Sequence, residues 1–240
     1  MISPTSIHDM PSELIAWLDG TDRKTSIHDH AVRANVTWWN RRIADLPGGP
    51  VTTAVGEVDG RGALTRGQLF ELASGSVDDE TGDGALRLLW HSLAWGSGPT
   101  PGRRIRAIRS VAADPSGSGR VLREAATASR TDPESAFRLL RDGGRNRISG
   151  LGPNFFTKFL YFAGGGDVDH RCLIVDQFVR ATAYEKTGGG DPLLAYHSQY
   201  SVTKYLATLD VIAAWAAGAS TPARPVAADE VEKWAFGYRS

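Results

Sequence analysis

Hydrophobic and polar positions recur at helical spacing along nearly the whole chain. "SELIAWLDG" reads as a short helix, and "HDHAVRANVTWWNRRIADLPGG" as a longer one stopped by Pro47 and Gly48. In the second, Trp38 and Trp39 are adjacent, so one faces inward and the other outward. "LTRGQLFELASG" opens on a capping box formed by Thr65 and Gln68, and closes at Gly75. "GDGALRLLWHSLAWGSG" sets Leu88, Trp95 and their neighbours on one face. "PGRRIRAIRSVAADP" is basic and amphipathic with Ile105, Ile108 and Val111 inward, and "SGRVLREAATASR" follows. "TDPESAFRLLRDGG" has Asp132 as N-cap and Pro133 at the first helical position. "GPNFFTKFLYFAGGG" opens on Pro153 and closes on glycines, and "DQFVRATAYEKTGGG" is capped by Asp176. "PLLAYHSQYSVTKYLATLDVIAAWAAG" reads as one long helix or two, and "ADEVEKWAFGYRS" ends the chain. The strand-like piece is "GPVTTAVGEVDG", a turn-rich connection or small hairpin. The expected fold is all-α: a compact helical domain over 1–240, with a cleft between lobes over 25–130 and 131–240.

Two charges stand oddly among the hydrophobics. On the helix that opens at Pro153, Phe155, Phe159 and Phe162 share one face, and Phe156, Leu160 and Ala163 a second. Asn154, Lys158 and Tyr161 form the polar stripe between them. Lys158 is either a solvated residue whose stem snorkels or an amine at the floor of a cleft. In the second case apolar surroundings favour its free, nucleophilic form. Asp176 follows the apolar run "CLIV". It suits a helix N-cap, and a capping carboxylate can also face a cleft. "ISGLGP" places Gly-hydrophobic-Gly between two helices, either as a plain tight turn or as backbone N–H groups at a helix start, where a phosphate binds.

Composition narrows the partners. The chain carries 27 basic and 27 acidic residues, so it does not grip polyanions by its whole surface. Basic charge is local: between Pro101 and Leu160, twelve basic residues face five acidic ones, while Glu71, Asp78, Asp79, Glu80 and Asp83 lie in the acidic stretch before it. Arg103, Arg104, Arg106 and Arg109 are candidate phosphate contacts. Arg141, Arg145 and Arg147 lead directly into the glycine turn. A single cysteine, Cys172, excludes an internal disulfide and Cys-rich metal or cluster sites and fits a reducing cytoplasm. No signal peptide or membrane span is expected. "HDH" at His28–His30 suggests metal, but at i, i+2 on a helix the two rings point apart, so a helix-start surface is the expectation. Phosphate-binding loops, dinucleotide fingerprints, serine elbows and zinc-protease motifs are absent from the sequence.

Taken together, the "GLG" turn, Lys158 in the next helix and the aspartate of "IVDQFV" resemble the helix-hairpin-helix DNA glycosylase superfamily. The resemblance is best to its 8-oxoguanine DNA glycosylase branch in small bacterial proteins, and "LLWHSLAWGSG" adds to it. The motif-bearing part covers roughly 130–185, with the helix-hairpin-helix over 133–164. The resemblance implies a DNA glycosylase that extrudes and excises a modified base from double-stranded DNA, with 8-oxoguanine as the default. It implies no metal or other cofactor, no membrane, and action as a monomer in the cytoplasm. Gly150, Leu151, Gly152 and Asn154, with Arg145 and Arg147, would hold the DNA backbone. Asp176 would stabilise the sugar's developing charge or orient the nucleophile. Lys158 would attack the sugar carbon and allow a lyase step. In the commonest pattern the lysine follows the second glycine by two residues, which here is Asn154. Lys158 stands one helical turn, about 5.4 Å, further along the same face. Without an amine in reach, Asp176 would activate water and the enzyme would be monofunctional. Trp90, His91, Trp95, Tyr161, Gln177, Tyr196, Gln199 and Tyr200 are the candidates for a base pocket, with Tyr196, Gln199 and Tyr200 sharing a helix face. A hypermodified bacteriophage base as target, in an antiviral role, is the second enzymatic reading. A non-catalytic DNA-binding module is the third.

Overall fold

The computed structural model describes residues 10–53, 56–195, 197 and 199–238. Helices dominate. In chain order they are α1 (Ser12–Asp19), α2 (Val36–Ile43), α3 (Arg66–Phe70), α4 (Ala73–Asp78), α5 (Asp83–Ser97), α6 (Ile105–Ala113), α7 (Pro115–Ser129), α8 (Pro133–Leu140), α9 (Pro153–Phe162), α10 (Gln177–Lys186), α11 (Val202–Ala219) and α12 (Ala228–Gly237). Among the described residues, two small antiparallel ribbons accompany them. β1 (Ala31–Ala34) pairs with β2 (Gly62–Thr65), Ala31 opposite Thr65, and β3 (Arg141–Asp142) pairs with β4 (Arg145–Asn146).

The starts of the helices follow local chemistry. Thr65 and Gln68 form the expected capping box, Asp132 accepts from Glu134 and Ser135 N–H ahead of Pro133, and Pro153 occupies the first turn of α9. Four segments differ from the helical reading. The chain from Asp29 to Ala34 is not helix. A single wide turn over Lys24–His28 ends just before it and β1 follows, so α2 begins at Val36, where the Asn35 side chain accepts from Trp38 N–H. The ladder partner is "GALT", one step after the strand-like piece, in which, among the described residues, Val58 bridges to Arg61. Gly75 does not end a helix but lies inside α4. In "PLLAYHSQY" the described residues are not helical: the Arg180 guanidinium donates to the Leu193 and Ala195 carbonyls, and Ser201 caps α11. Those carbonyls are satisfied without a helix. His28 and His30 do not form a free helix-start surface. They sit edge-on to Phe70 and Trp95 respectively. Trp39 is fully buried and Trp38 only partly, as adjacency requires.

The core lies between α5 and α9. Leu88, Leu89, Trp90 and Leu93 of α5 and Phe156, Phe159, Leu160 and Phe162 of α9 are inaccessible to solvent. Against this core stands a buried polar cluster. Arg66 donates to Glu232 (2.8 Å) and to the Tyr161 hydroxyl (3.0 Å), Tyr161 donates to Asp229 (3.1 Å), and Asp229 pairs with Arg23 (2.7 Å). Burial opposes the Arg66 charge, but Glu232 and Tyr161 more than offset it, so the guanidinium stays charged. Burial pushes the Tyr161 phenol well above its usual range, which keeps it a donor. Such a cluster adds little net stability over apolar packing, yet losing one member strands a buried charge. It therefore locks the α3, α9 and α12 geometry. Among the described residues, no helix is long and apolar enough to cross a membrane.

Burial, helped by the nearby Arg66 and Lys233 charges, pushes the His30 imidazole down to about 3. Its unfolded value is about 6.5. Between these values the unfolded chain binds a proton that the folded chain does not, so stability is full above pH ~6.5 and falls as pH drops toward 3. Burial lowers His91 and His170 in the same direction. Urea denaturation at pH 7 and pH 4.5 should show a smaller acid loss in His30→Gln than in the natural protein. Equal losses would remove His30 from this account.

Candidate active site

The loop from α8 to α9 makes the first wall. Gly150 has a φ of +85°, and a Cβ there would lie 2.9 Å from the Ala107 amide nitrogen, so the turn is pressed against α6 and requires glycine. Leu151 is buried, and its N–H bonds to the Ile148 carbonyl at 3.1 Å. Gly152 precedes Pro153 as the N-cap of α9. Arg145 and Arg147 are exposed beside this turn. Arg106 donates to the Ser149 hydroxyl at 2.8 Å.

From α9, Lys158 extends into an open pocket of about 790 Å³ bounded by the end of α5, the segment before α6, α9 and the start of α10. Its amine donates to the Asn154 carbonyl at 2.9 Å and lies 3.4 Å from Asp176 Oδ2. Only 8% of the Lys158 side chain and 11% of the Asp176 side chain is exposed. The two oxygens of Asp176 divide their work. Oδ1 accepts from Phe178 N–H (3.0 Å) and Val179 N–H (3.3 Å), which caps α10, and Oδ2 faces the amine. The helix start adds partial positive charge to this carboxylate's surroundings.

The register of Asp176 against Lys158 is set one residue earlier. The Val175 N–H donates to the Thr157 hydroxyl of α9 (3.3 Å), and the Val175 carbonyl accepts from the Tyr200 hydroxyl (2.5 Å). An extended strand-like segment is thus clamped on both polar sides directly before the carboxylate. Cys172, in the same segment, is fully buried, and burial pushes its thiol up to about 12, which makes it inert as a nucleophile.

Asn154 and Gln177 line the same pocket as Lys158 and Asp176. The other base-pocket candidates among the described residues do not. Trp90 is core, with its indole N–H on the Pro47 carbonyl. His91 is buried between the Arg87 carbonyl and the Thr52 N–H. Trp95 packs on Phe162 and His30, and Tyr161 belongs to the Arg66 cluster. Tyr200 is buried as the Val175 clamp, under the Arg180 guanidinium. In each case helical amphipathicity marked a residue that packs inward. Gln199 is exposed near Gly152, and neither it nor Tyr200 is helical; Tyr196 lies outside the described residues.

What the sequence did not expose is the aromatic and glycine lining. Phe155 and Phe178 border the pocket, and the Arg104 guanidinium stacks 3.6 Å above the Phe155 ring. Phe155 had the spacing of an inward residue. Gly96, Ser97 and Thr100 complete the α5 side. The quoted "LAWGSG" contains two of them.

The model of the family described as "Putative 8-oxoguanine DNA glycosylase OGG-like protein" matches residues 25–236. No curated protein and no solved structure match the chain.

The split role of Asp176 is testable through stability. Asparagine caps a helix about as well as aspartate and alanine does not, at a cost near 1 kcal/mol. Asp176→Ala should therefore unfold in denaturant about 1 kcal/mol more easily than Asp176→Asn, since both lose the charge and only one loses the cap. Equal stability of the two variants would contradict the capping geometry.

Proposed function

This chain belongs to the 8-oxoguanine DNA glycosylase OGG-like family, and on that premise we propose that it extrudes a modified base from DNA and cuts its bond to deoxyribose. The observation that carries this reading is the Lys158 amine 3.4 Å from the Asp176 carboxylate in one open pocket. Duplex DNA is the partner, gripped at the glycine turn and the neighbouring arginines, mostly through phosphates. The default substrate is an oxidised purine, following the family's description.

The chemistry follows from the two groups. Departure of the base leaves positive charge on the sugar, and the Asp176 carboxylate stabilises it. The carboxylate can first take a proton from the Lys158 ammonium, which frees the amine's electron pair. That pair forms the new bond to the sugar carbon while the bond to the base breaks, and the base leaves with its electrons and takes the proton held by Asp176, which restores the carboxylate. The new secondary ammonium passes a proton to the ring oxygen, whose bond to that carbon breaks as the nitrogen forms the C=N bond; the resulting protonated imine permits elimination of the 3′ phosphate, the lyase step. Lys158 performs this from one turn beyond the usual lysine position, with Asn154 standing at that position.

A second route has its own support. The Lys158 amine donates to the Asn154 carbonyl as well as to Asp176, an arrangement that suits a retained ammonium. Asp176 would then activate water, and Lys158 would act by charge alone.

The test is a panel of duplexes, each with one modified base, including hypermodified phage-type bases, incubated with and without borohydride. The bifunctional route predicts a trapped covalent adduct that is lost in Lys158→Gln. Asp176→Asn, which keeps its cap, should lower release by on the order of 100-fold or more. Release without a trapped adduct, surviving in Lys158→Gln, would select the water route. Binding without release on every duplex would overturn both and leave a DNA-binding module.

A further inference from the structure

The last turn of α5 contains a glycine with no backbone reason to be there. Gly96 lies inside the helix Asp83–Ser97, and its φ is not in the left-handed region. Alanine is the better helix former, because glycine gives up more backbone freedom on ordering. What an added methyl group would meet is informative. A Cβ on Gly96 would lie 2.6 Å from Lys158 Cδ and 3.0 Å from Lys158 Cε, well inside contact distance, and 3.5 Å from the Phe155 ring, which is ordinary contact. The methyl group would thus meet the flexible far end of the lysine and no backbone atom at close range.

We propose that Gly96 is a positioning residue for Lys158: by omitting a side chain, α5 opens the track along which the lysine stem reaches Asp176. The inference rests on the functional reading above, in which the amine's position matters. Lys158 begins one turn further from the turn of the hairpin than the usual lysine, so its stem must run along α5 back toward Asn154. Its amine ends on the Asn154 carbonyl, four residues earlier on the same helix. The stem is confined on that path by Gly96 on one side and by the Phe155 ring, whose centroid is 5.5 Å from the amine. A methyl group at Gly96 closes the track. The lysine yields more readily than the helix, because its terminal carbons are the mobile partner, so the amine leaves Asp176 while the fold stays intact.

The experiment compares the natural protein with Gly96→Ala, Lys158→Ala and the double variant. Gly96→Ala should melt at the same temperature or higher and bind duplex DNA with unchanged affinity. Its base-release rate at saturating DNA should fall by on the order of 100-fold, the scale of an ångström-sized misplacement. In the Lys158→Ala background the same change should do nothing further to release. A Gly96→Ala protein as active as the natural one overturns the proposal. So does one that loses activity together with melting temperature, since the clash is then absorbed by the backbone. If the natural protein releases no base at all, the functional reading fails, and the position of the amine is read directly. The ¹³C-dimethyl-lysine NMR signal that vanishes in Lys158→Ala should shift in Gly96→Ala, and an unshifted signal overturns the role of Gly96.

Discussion

Everything at the pocket depends on how α9 is turned about its own axis. One side of this helix is driven inward by Phe156, Phe159, Leu160 and Phe162, all without solvent contact. Burying those four rings and chains is worth several kcal/mol, far more than any single polar contact at the rim. Rotation is then fixed by hydrogen bonds: the Tyr161 hydroxyl is held between Arg66 and Asp229, and Thr157 holds the Val175 N–H. With both fixed, Lys158 has one direction left, along the end of α5 and into the pocket. A lysine with 8% of its side chain exposed is sustained there because a carboxylate and a carbonyl receive its amine.

The same arrangement explains why the carboxylate serves two ends without conflict. A helix N-terminus needs one oxygen, and Asp176 supplies Oδ1 to it; the second oxygen is left for the amine. Capping also removes the side chain's rotational freedom. Preorganisation of that kind is what makes a charge effective at a reaction centre, since no reorientation is required when charge develops. The family assignment over residues 25–236 gives this geometry its context in DNA base excision.

Short-range rules made part of this visible from the residues alone. Asp132, Thr65 and Asp176 cap helices because capping depends on neighbours two or three positions away. Lys158 drew notice because it breaks an apolar pattern with helical period. The unreadable parts are contacts between distant segments. Thr157 and Tyr200 meet at Val175 from 18 and 25 residues away, Arg104 covers Phe155, and Gly96 clears a path for a lysine on another helix. Trp90, Trp95 and Tyr161 have the same spacing whether a helix faces a pocket or a core, so periodicity could not separate the two. β1 is not legible because four residues carry too little alternation to outweigh the helical signal around them.

The central claim is that deoxyribose docks in the pocket against the Lys158–Asp176 pair. A crystal structure with a duplex bearing a non-cleavable abasic-sugar analogue measures this directly. The account predicts the sugar carbon that would bear the base about 3.5 Å from the Lys158 Nζ, with Asp176 on the same sugar and α10 still capped. An analogue seated elsewhere on the protein, with the Lys158–Asp176 pair untouched by DNA, would contradict it.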